Sequence, residues 1–170
     1  NIEVLILDDE IDEIVITSIP KYDEKELKSV NRSGAADEIS DKADKKKIKE
    51  MEPLIKKIKQ VLGDKVKDVR ISKRLSDSPS CLVADENDPT AQMQEIMKSM
   101  GQPNLPDIKP ILEINANNKI IKKLKGMKKG KSFDDISILL FEQALIQEGG
   151  KLENPSEFVN RLNSVMEKSF

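Results

Sequence analysis

The aromatic side chains of this chain are concentrated at its C-terminal end. All four phenylalanines lie between residues 133 and 170, and Tyr22 is the only other aromatic residue. Aromatic residues bring the largest apolar surface per side chain. The C-terminal helices therefore carry more apolar surface than so short a segment can bury by itself. The sequence predicts a helical end that packs against a partner, most simply a second copy of the chain.

Length and composition exclude several classes of protein. A chain of 170 residues can bury a core of its own, and it contains no apolar run near the ~18 residues that a membrane-spanning helix needs. The single cysteine, Cys81, excludes an internal disulfide framework and is typical of a reducing, cytoplasmic location. The absence of histidine removes the usual general base and the usual zinc ligand. We therefore expect no catalytic, cofactor or metal site in the chain.

Hydrophobic periodicity predicts an α+β fold. Short apolar runs predict strands over residues 4–7, 27–30, 66–71, 81–84 and 111–114. Apolar residues at helical spacing predict helices over residues 11–19, 48–62, 89–100, 120–127, 132–148 and 155–170. Because Pro53 falls inside the second of these helices, we expect a break near Glu52. Residues 31–44 have the composition of a loop or linker.

The last two predicted helices make the strongest case for association. The first is apolar nearly all round, so it needs burial on more than one side, and the second is apolar along one face. Two copies of this pair would form a four-helix bundle. The predicted dimer-interface residues are Ile136, Leu139, Leu140, Phe141, Leu145, Phe158, Leu162, Val165 and Met166. The alternative is that both helices pack against the sheet of their own chain.

The third predicted helix, over residues 89–100, is α3, and it carries a methionine-rich stripe, which we call the α3 stripe. Its residues lie at positions i, i+3, i+4 and i+7, and they are Met93, Ile96, Met97 and Met100. Flexible, polarisable methionine side chains adapt to varied apolar surfaces and are common at promiscuous binding sites. Periodicity alone nevertheless favours a stripe that faces the core.

Lysine-rich segments leave two other functions open. Residues 118–131 hold seven lysines and no acid, which is typical of a solvated helix face and, as an alternative, of a nucleic-acid-binding module. The lysines have no aromatic residues among them to stack on bases. Residues 126–132 resemble a phosphate-binding loop, but only three residues separate the glycines and a predicted helix precedes them. A nucleotide-binding enzyme that uses Lys131 and Ser132 is therefore the third hypothesis.

Several short motifs, taken in their order and spacing, resemble the C-terminal part of the ninety-kilodalton heat-shock chaperone family, of the bacterial HtpG type. The similarity covers most of the chain. Its motifs are DEIDE at 9–13, KELKSV at 25–30, EPL at 52–54, VLGDKV at 61–66, RLSDSP at 74–79, LEIN at 112–115 and LENP at 152–155.

This resemblance implies a fold and a function. Residues 1–62 would complete a middle domain with a small α/β/α lobe. Residues 63–170 would be a mixed domain with a three-stranded sheet, whose last helices form the intersubunit four-helix bundle. The α3 stripe would contact unfolded client proteins rather than the core. The chain would be a non-enzymatic part of a cytoplasmic homodimeric chaperone, without nucleic-acid or membrane partners. ATP and Mg would bind an N-terminal domain outside this chain, as its start at Asn1 also suggests.

Overall fold

The computed structural model describes residues 4–7, 9, 11–19, 21–27, 29, 45–85, 88–101 and 108–168. The helices are α1 (Asp12–Ser18), α2 (Lys45–Leu62), α3 (Ala91–Ser99), α4 (Lys119–Gly126), α5 (Lys131–Gln147) and α6 (Pro155–Glu167). The strands are β1 (Lys21–Tyr22), β2 (Lys25–Glu26), β3 (Asp68–Ile71), β4 (Ser80–Val83) and β5 (Ile111–Ile114), and a 3-10 turn covers Gly63–Lys65. In the described part of the chain, no helix is long and apolar enough to cross a membrane.

Strand β5 is the centre of a three-stranded mixed sheet with the order β3-β5-β4. β3 runs parallel to β5 and β4 runs antiparallel to it, so that Leu112 lies between Val69 and Leu82. All four residues of β5 are buried, which is why this strand is apolar throughout except at Glu113. The predicted α+β class and its three-stranded sheet are confirmed, with strand bounds within two residues of the predicted ones.

Helix α2 is continuous through Pro53, so the predicted break near Glu52 is wrong. Met51 and Leu54, on either side of the proline, are buried and hold the helix against the core. Pro53 itself is exposed. The carbonyl of Lys49, which loses its helical donor because proline has no N–H, therefore lies on a hydrated side of the helix where water can replace that bond.

The segment before α2 differs from its prediction. Residues 4–7 form no strand, and their side chains are between 49% and 89% exposed. A short hairpin pairs β1 with β2 instead, and its turn residues Asp23 and Glu24 both have positive φ, as a two-residue hairpin turn requires. Leu27 and Ser29 are not in a strand, while the other residues of the strand predicted over 27–30 and the linker at 31–44 lie outside the described residues.

One apolar core joins the sheet to the helices around it. α2 packs against β3 and α5, and α5 packs against β4 and α6. The core consists of Met51, Leu54, Ile58, Leu62, Val66, Val69, Leu82, Leu112, Ile114, Ile121, Leu124, Phe133, Leu140, Phe141 and Ala144. Four of these residues belong to α2, so this core extends across the boundary predicted between residues 62 and 63. The division into residues 1–62 and 63–170 stays a prediction.

Candidate functional site

Helix α5 is the part of the predicted interface that lies closest to the core. Of its predicted interface residues, Leu139, Leu140 and Phe141 are buried within the chain itself, with exposed fractions of 5%, 2% and 8%. Ile136 and Leu145 are half-buried against the core. The hydroxyl of Ser80 donates a hydrogen bond to the Leu140 carbonyl at 2.9 Å and ties β4 to the helix. The three buried residues have little surface left for a partner, because their own chain already covers them.

Helix α6 is much less buried within its own chain than α5 is. Gly149, with a φ of 76°, ends the preceding helix in the left-handed conformation, and the Asn154 side chain caps α6 by accepting a hydrogen bond from the Glu157 amide. None of the described residues of α6 is buried. The predicted interface residues Phe158, Leu162 and Val165 are half-buried, and Met166 is exposed.

An uncovered apolar surface runs along this helix. Val159, Leu162 and Met166 lie at positions i, i+3 and i+7 and so share one side, which we call the α6 shoulder. Val159 is 49% exposed and Met166 is 47% exposed. Ile146, near the end of α5, is 46% exposed. The sequence-based set omitted Val159 and Ile146, although both lie in the apolar pattern of their helices.

An ion pair fastens α6 to α5. Arg161 on α6 pairs with Glu142, which is nearly buried in the middle of α5, and also with Glu157 one turn earlier on its own helix. We call these three residues the Arg161 clasp. Burial by itself lowers the pKa of Arg161, but the hydrogen bonds to Glu142 and Glu157 outweigh it and raise the pKa above its usual value. The sequence pattern does not pair these residues, although Glu142 is the only carboxylate in the apolar stretch 136–147 and so signals a partner.

Helix α3 carries the methionine-rich stripe and stands apart from the core. Met93, Ile96 and Met97 are half-buried, whereas Met100 is 72% exposed. Among the elements that the structure describes, none makes an extensive contact with α3. Thr90 caps its N-terminus by accepting a hydrogen bond from the Met93 amide at 3.2 Å. The stripe is thus only partly covered by its own chain.

A cleft of about 720 Å³ lies between the base of α3 and the last two helices. Its walls are the end of β4, residues 108–110 before β5, the start of α3, the inner side of α5 and the start of α6. The lining is mixed: Leu82, Phe141 and Leu145 contribute apolar surface, while Glu142 and Arg161 contribute charge. Neither the α3 stripe nor the α6 shoulder contributes a residue to this lining.

A second buried charge cluster lies on the sheet. The Glu113 side chain, 3% exposed, accepts hydrogen bonds from Arg70, Arg74 and the hydroxyl of Ser72. Cys81 on β4 lies opposite Glu113 in the strand register. Burial and then the charge of Glu113 raise the pKa of the Cys81 thiol to about 12. A thiol that stays protonated is a poor nucleophile, so this arrangement supports no cysteine chemistry.

The lysine-rich loop between α4 and α5 does not have the geometry of a phosphate-binding loop. Gly126 is the last residue of α4, and Gly130 directly precedes α5, so the loop follows a helix where the motif needs a strand. The Ser132 hydroxyl accepts a hydrogen bond from the Lys168 ammonium group at 2.9 Å, which ties this turn to the end of α6. Lys131 is exposed.

The chain is similar over nearly its whole length to proteins of one family. The family model described as Hsp90 protein matches residues 1–170. The chaperone protein HtpG of Treponema denticola is 52% identical over 168 residues, which are 96% of this chain and 26% of that relative. The HtpG proteins of Borreliella burgdorferi and Dechloromonas aromatica are 44% and 45% identical, covering 99% and 97% of this chain.

The comparisons also bear on length. The alignments cover 27% of the Borreliella burgdorferi protein and 26% of the Dechloromonas aromatica protein. The chain thus spans about a quarter of the length of the curated relatives it matches. The family model matches every residue of this chain, and the relatives at about half identity align with nearly all of it. These matches therefore cover the residues of the sheet, of the methionine-rich helix and of the two terminal helices. The chain therefore belongs to the Hsp90 protein family.

Proposed function

We propose that this chain is the dimerisation and client-contact part of an ATP-dependent chaperone. Membership in the Hsp90 family and the similarity to proteins named HtpG support the chaperone role. The observation that carries the dimer is the α6 shoulder, an apolar surface that its own chain leaves uncovered. In this proposal residues 63–170 form the dimerisation domain, residues 1–62 complete the middle domain, and another part of the cytoplasmic protein binds ATP and Mg.

The proposed interface is a four-helix bundle of α5 and α6 with their copies. In a two-fold dimer each contact occurs twice, so Ile146, Val159 and Met166 supply six half-exposed apolar side chains. Full burial of such a side chain contributes about 1.5–3 kcal/mol. Half of that gain on each of six side chains adds up to a favourable free energy of several kcal/mol. That is comparable with the lower estimates of the free energy lost when two bodies associate. The half-buried residues Phe158, Leu162 and Val165 add to it.

Charge on the α6 shoulder should dissociate the dimer. We expect the chain to be a dimer at about 50 µM, and the double variant Val159→Glu with Met166→Glu to be a monomer at the same concentration. Each substitution would place a carboxylate in an apolar interface without a partner, and the two-fold axis doubles the effect. Light scattering coupled to size-exclusion chromatography measures the mass directly. A wild-type chain that stays monomeric would contradict the proposal.

Asn160→Glu is the matched control for this experiment. Asn160 is exposed on the same helix, and helical geometry places it about 100° beyond Val159, on the side away from Leu162. The control adds a carboxylate of the same size but leaves the α6 shoulder apolar, so it should remain a dimer. Because the shoulder residues are not buried within one chain, the double variant should retain its helical content by circular dichroism.

We also propose that the α3 stripe contacts unfolded client proteins. Met100 is largely exposed, and Met93, Ile96 and Met97 are only partly covered, on a helix with little packing against the described core. A soluble protein rarely leaves a contiguous apolar patch in water unless the patch binds something. The conformational freedom of methionine suits a site that must accept many sequences.

Truncation of the stripe should affect client binding more than stability. For Met97→Ala combined with Met100→Ala we expect at least about fivefold weaker suppression of client aggregation, since a few large side chains dominate such contacts. The melting temperature should fall by less than about 4 °C. The assay is light scattering of a thermally denatured model client, with melting followed by circular dichroism. Ser99→Ala on the exposed side of the same helix is the control. A large loss of melting temperature with intact protection would assign the stripe to the core.

A further inference from the structure

The position of α6 cannot be explained by apolar burial alone. None of its described residues is buried, and its apolar residues are shared between its contact with α5 and the uncovered α6 shoulder. Half-buried apolar contacts are non-directional, so they resist sliding or rolling of one helix on another only weakly. A directional contact is needed to fix which side of the helix faces outward.

The Arg161 clasp is such a contact. The Arg161 side chain is 17% exposed and the Glu142 side chain is 12% exposed. Nη2 of Arg161 donates to Oε1 of Glu142 in a short hydrogen bond, and Nε donates to Oε2 at 3.3 Å, so the two planar groups meet edge to edge. Nη1 donates to Oε2 of Glu157 at 3.1 Å. Such a bidentate pair fixes orientation as well as distance.

The Arg161 clasp lies on α6 among the residues of the α6 shoulder, so it can fix the orientation of that surface. Arg161 lies directly before Leu162, and between Val159 and Met166, in the middle of the helix. A rotation of α6 that preserved its apolar contacts would have to break both hydrogen bonds to Glu142. Nearly buried ion pairs contribute little net stability compared with apolar residues of the same shape, because desolvation offsets their attraction. The role that remains for the Arg161–Glu142 pair is to fix the orientation of α6 on α5.

We propose that Arg161 is the positioning residue of the dimer: by clamping α6 to Glu142, it fixes the angle at which the α6 shoulder meets a second copy of the chain. This inference rests on the proposed function, since it concerns the same interface. It assigns Arg161 no contact with the partner. Its effect is exerted through the α6 shoulder.

The discriminating variant replaces the whole pair by apolar residues. Arg161→Met with Glu142→Met leaves no unpaired buried charge, so the melting temperature should stay within about 4 °C of the wild type. The dimer dissociation constant, measured by sedimentation equilibrium, should rise at least about tenfold, which corresponds to about 1.4 kcal/mol. Arg161→Lys, which keeps the charge but loses the bidentate fork, should show an intermediate increase. Lys59→Met, which breaks an exposed pair with Asp68 between α2 and β3, should leave the constant unchanged.

A distance measurement separates positioning from a merely structural role. Spin labels at Gln143 on α5 and Asn160 on α6, both exposed, report the arrangement of the two helices in a Cys81→Ser background. With labelled chains diluted in unlabelled ones, the distance distribution should be narrow for the wild type and broad for the apolar pair. A folded apolar-pair variant with wild-type affinity and a narrow distribution would overturn the inference while leaving the dimer intact. A monomeric wild-type chain would instead overturn the proposed function, and this inference with it.

Discussion

Replacing Glu113 by alanine should lower the free energy of unfolding by about 3 kcal/mol, because it leaves two arginines without their buried partner. Glu113 is in the central strand β5, and its side chain is 3% exposed. One carboxylate oxygen accepts from Arg70 at 2.7 Å, and the other accepts from Arg74 at 3.0 Å and from the Ser72 hydroxyl at 2.9 Å. Both oxygens are therefore satisfied, in a place that water does not reach.

The size of this loss follows from the burial of each partner. Breaking a buried ion pair by removing one member typically costs about 3–5 kcal/mol. The Arg74 side chain is 17% exposed, whereas that of Arg70 is 35% exposed and can be hydrated after the substitution. We therefore expect the lower end of that range. Urea unfolding followed by circular dichroism measures the change.

Glu153→Ala is the control, because it removes a carboxylate with the same chemistry from the surface. Glu153 is 82% exposed and pairs with Lys65 at 2.7 Å. Exposed pairs of this kind contribute about 0–1 kcal/mol, so this variant should unfold close to the wild type. An equal decrease in the free energy of unfolding for the two variants would show that the Glu113 cluster stabilises the fold no more than an exposed ion pair does.

Alkylation of Cys81 should be about a thousandfold slower in the folded chain than in the unfolded chain at pH 8, because the thiolate is the nucleophile. Burial and then the negative charge of Glu113 raise the pKa of Cys81 from 9.0 to about 12, while the charge of Arg74 opposes the shift. Three pKa units correspond to about a thousandfold less thiolate at any pH below the unfolded value. The thiol should remain protonated throughout the neutral range.

The measurement compares iodoacetamide labelling with and without urea by intact-mass spectrometry. The native rate should increase tenfold per pH unit up to about pH 11, whereas the unfolded rate should level off near pH 9. A native rate within about tenfold of the unfolded rate at pH 8 would mean that the thiol is ionised in place and that the chain holds a reactive cysteine after all.

Local sequence patterns predict the helices well, because a helix forms its hydrogen bonds within its own segment. The spacing of Met93 and Met97 locates α3, and Asn154 with Pro155 locates the start of α6. A strand is different because it needs a neighbour: the apolar run at 4–7 has the composition of a strand and forms none. Pro53 shows the reverse case, since core packing holds a helix together where local chemistry predicts a break.

The charged clusters could not be paired from the sequence. Glu113 is the only carboxylate of β5, and Glu142 is the only carboxylate in the apolar stretch 136–147 of α5. Each signals a partner but does not identify it. Their arginines lie 43 and 39 residues before Glu113 and 19 residues after Glu142. Only the register of β3 with β5 and the packing of α6 on α5 bring these groups together. The amount of apolar surface left on α5 also depends on what the rest of its own chain covers, as the burial of Phe133 and Phe141 shows.

The strand order has a consequence for how this family can diversify. Val83 at the end of β4 is directly opposite Ile111 at the start of β5, so the chain leaves the sheet and returns to it at one point. The segment between these two residues, which includes α3, is an insertion whose two ends are held together by the pairing of β4 with β5. Such an insertion can change in length and composition without disturbing strand pairing. Under the proposed function, client preference can therefore change through this insertion, while the helices proposed to join two subunits keep their positions.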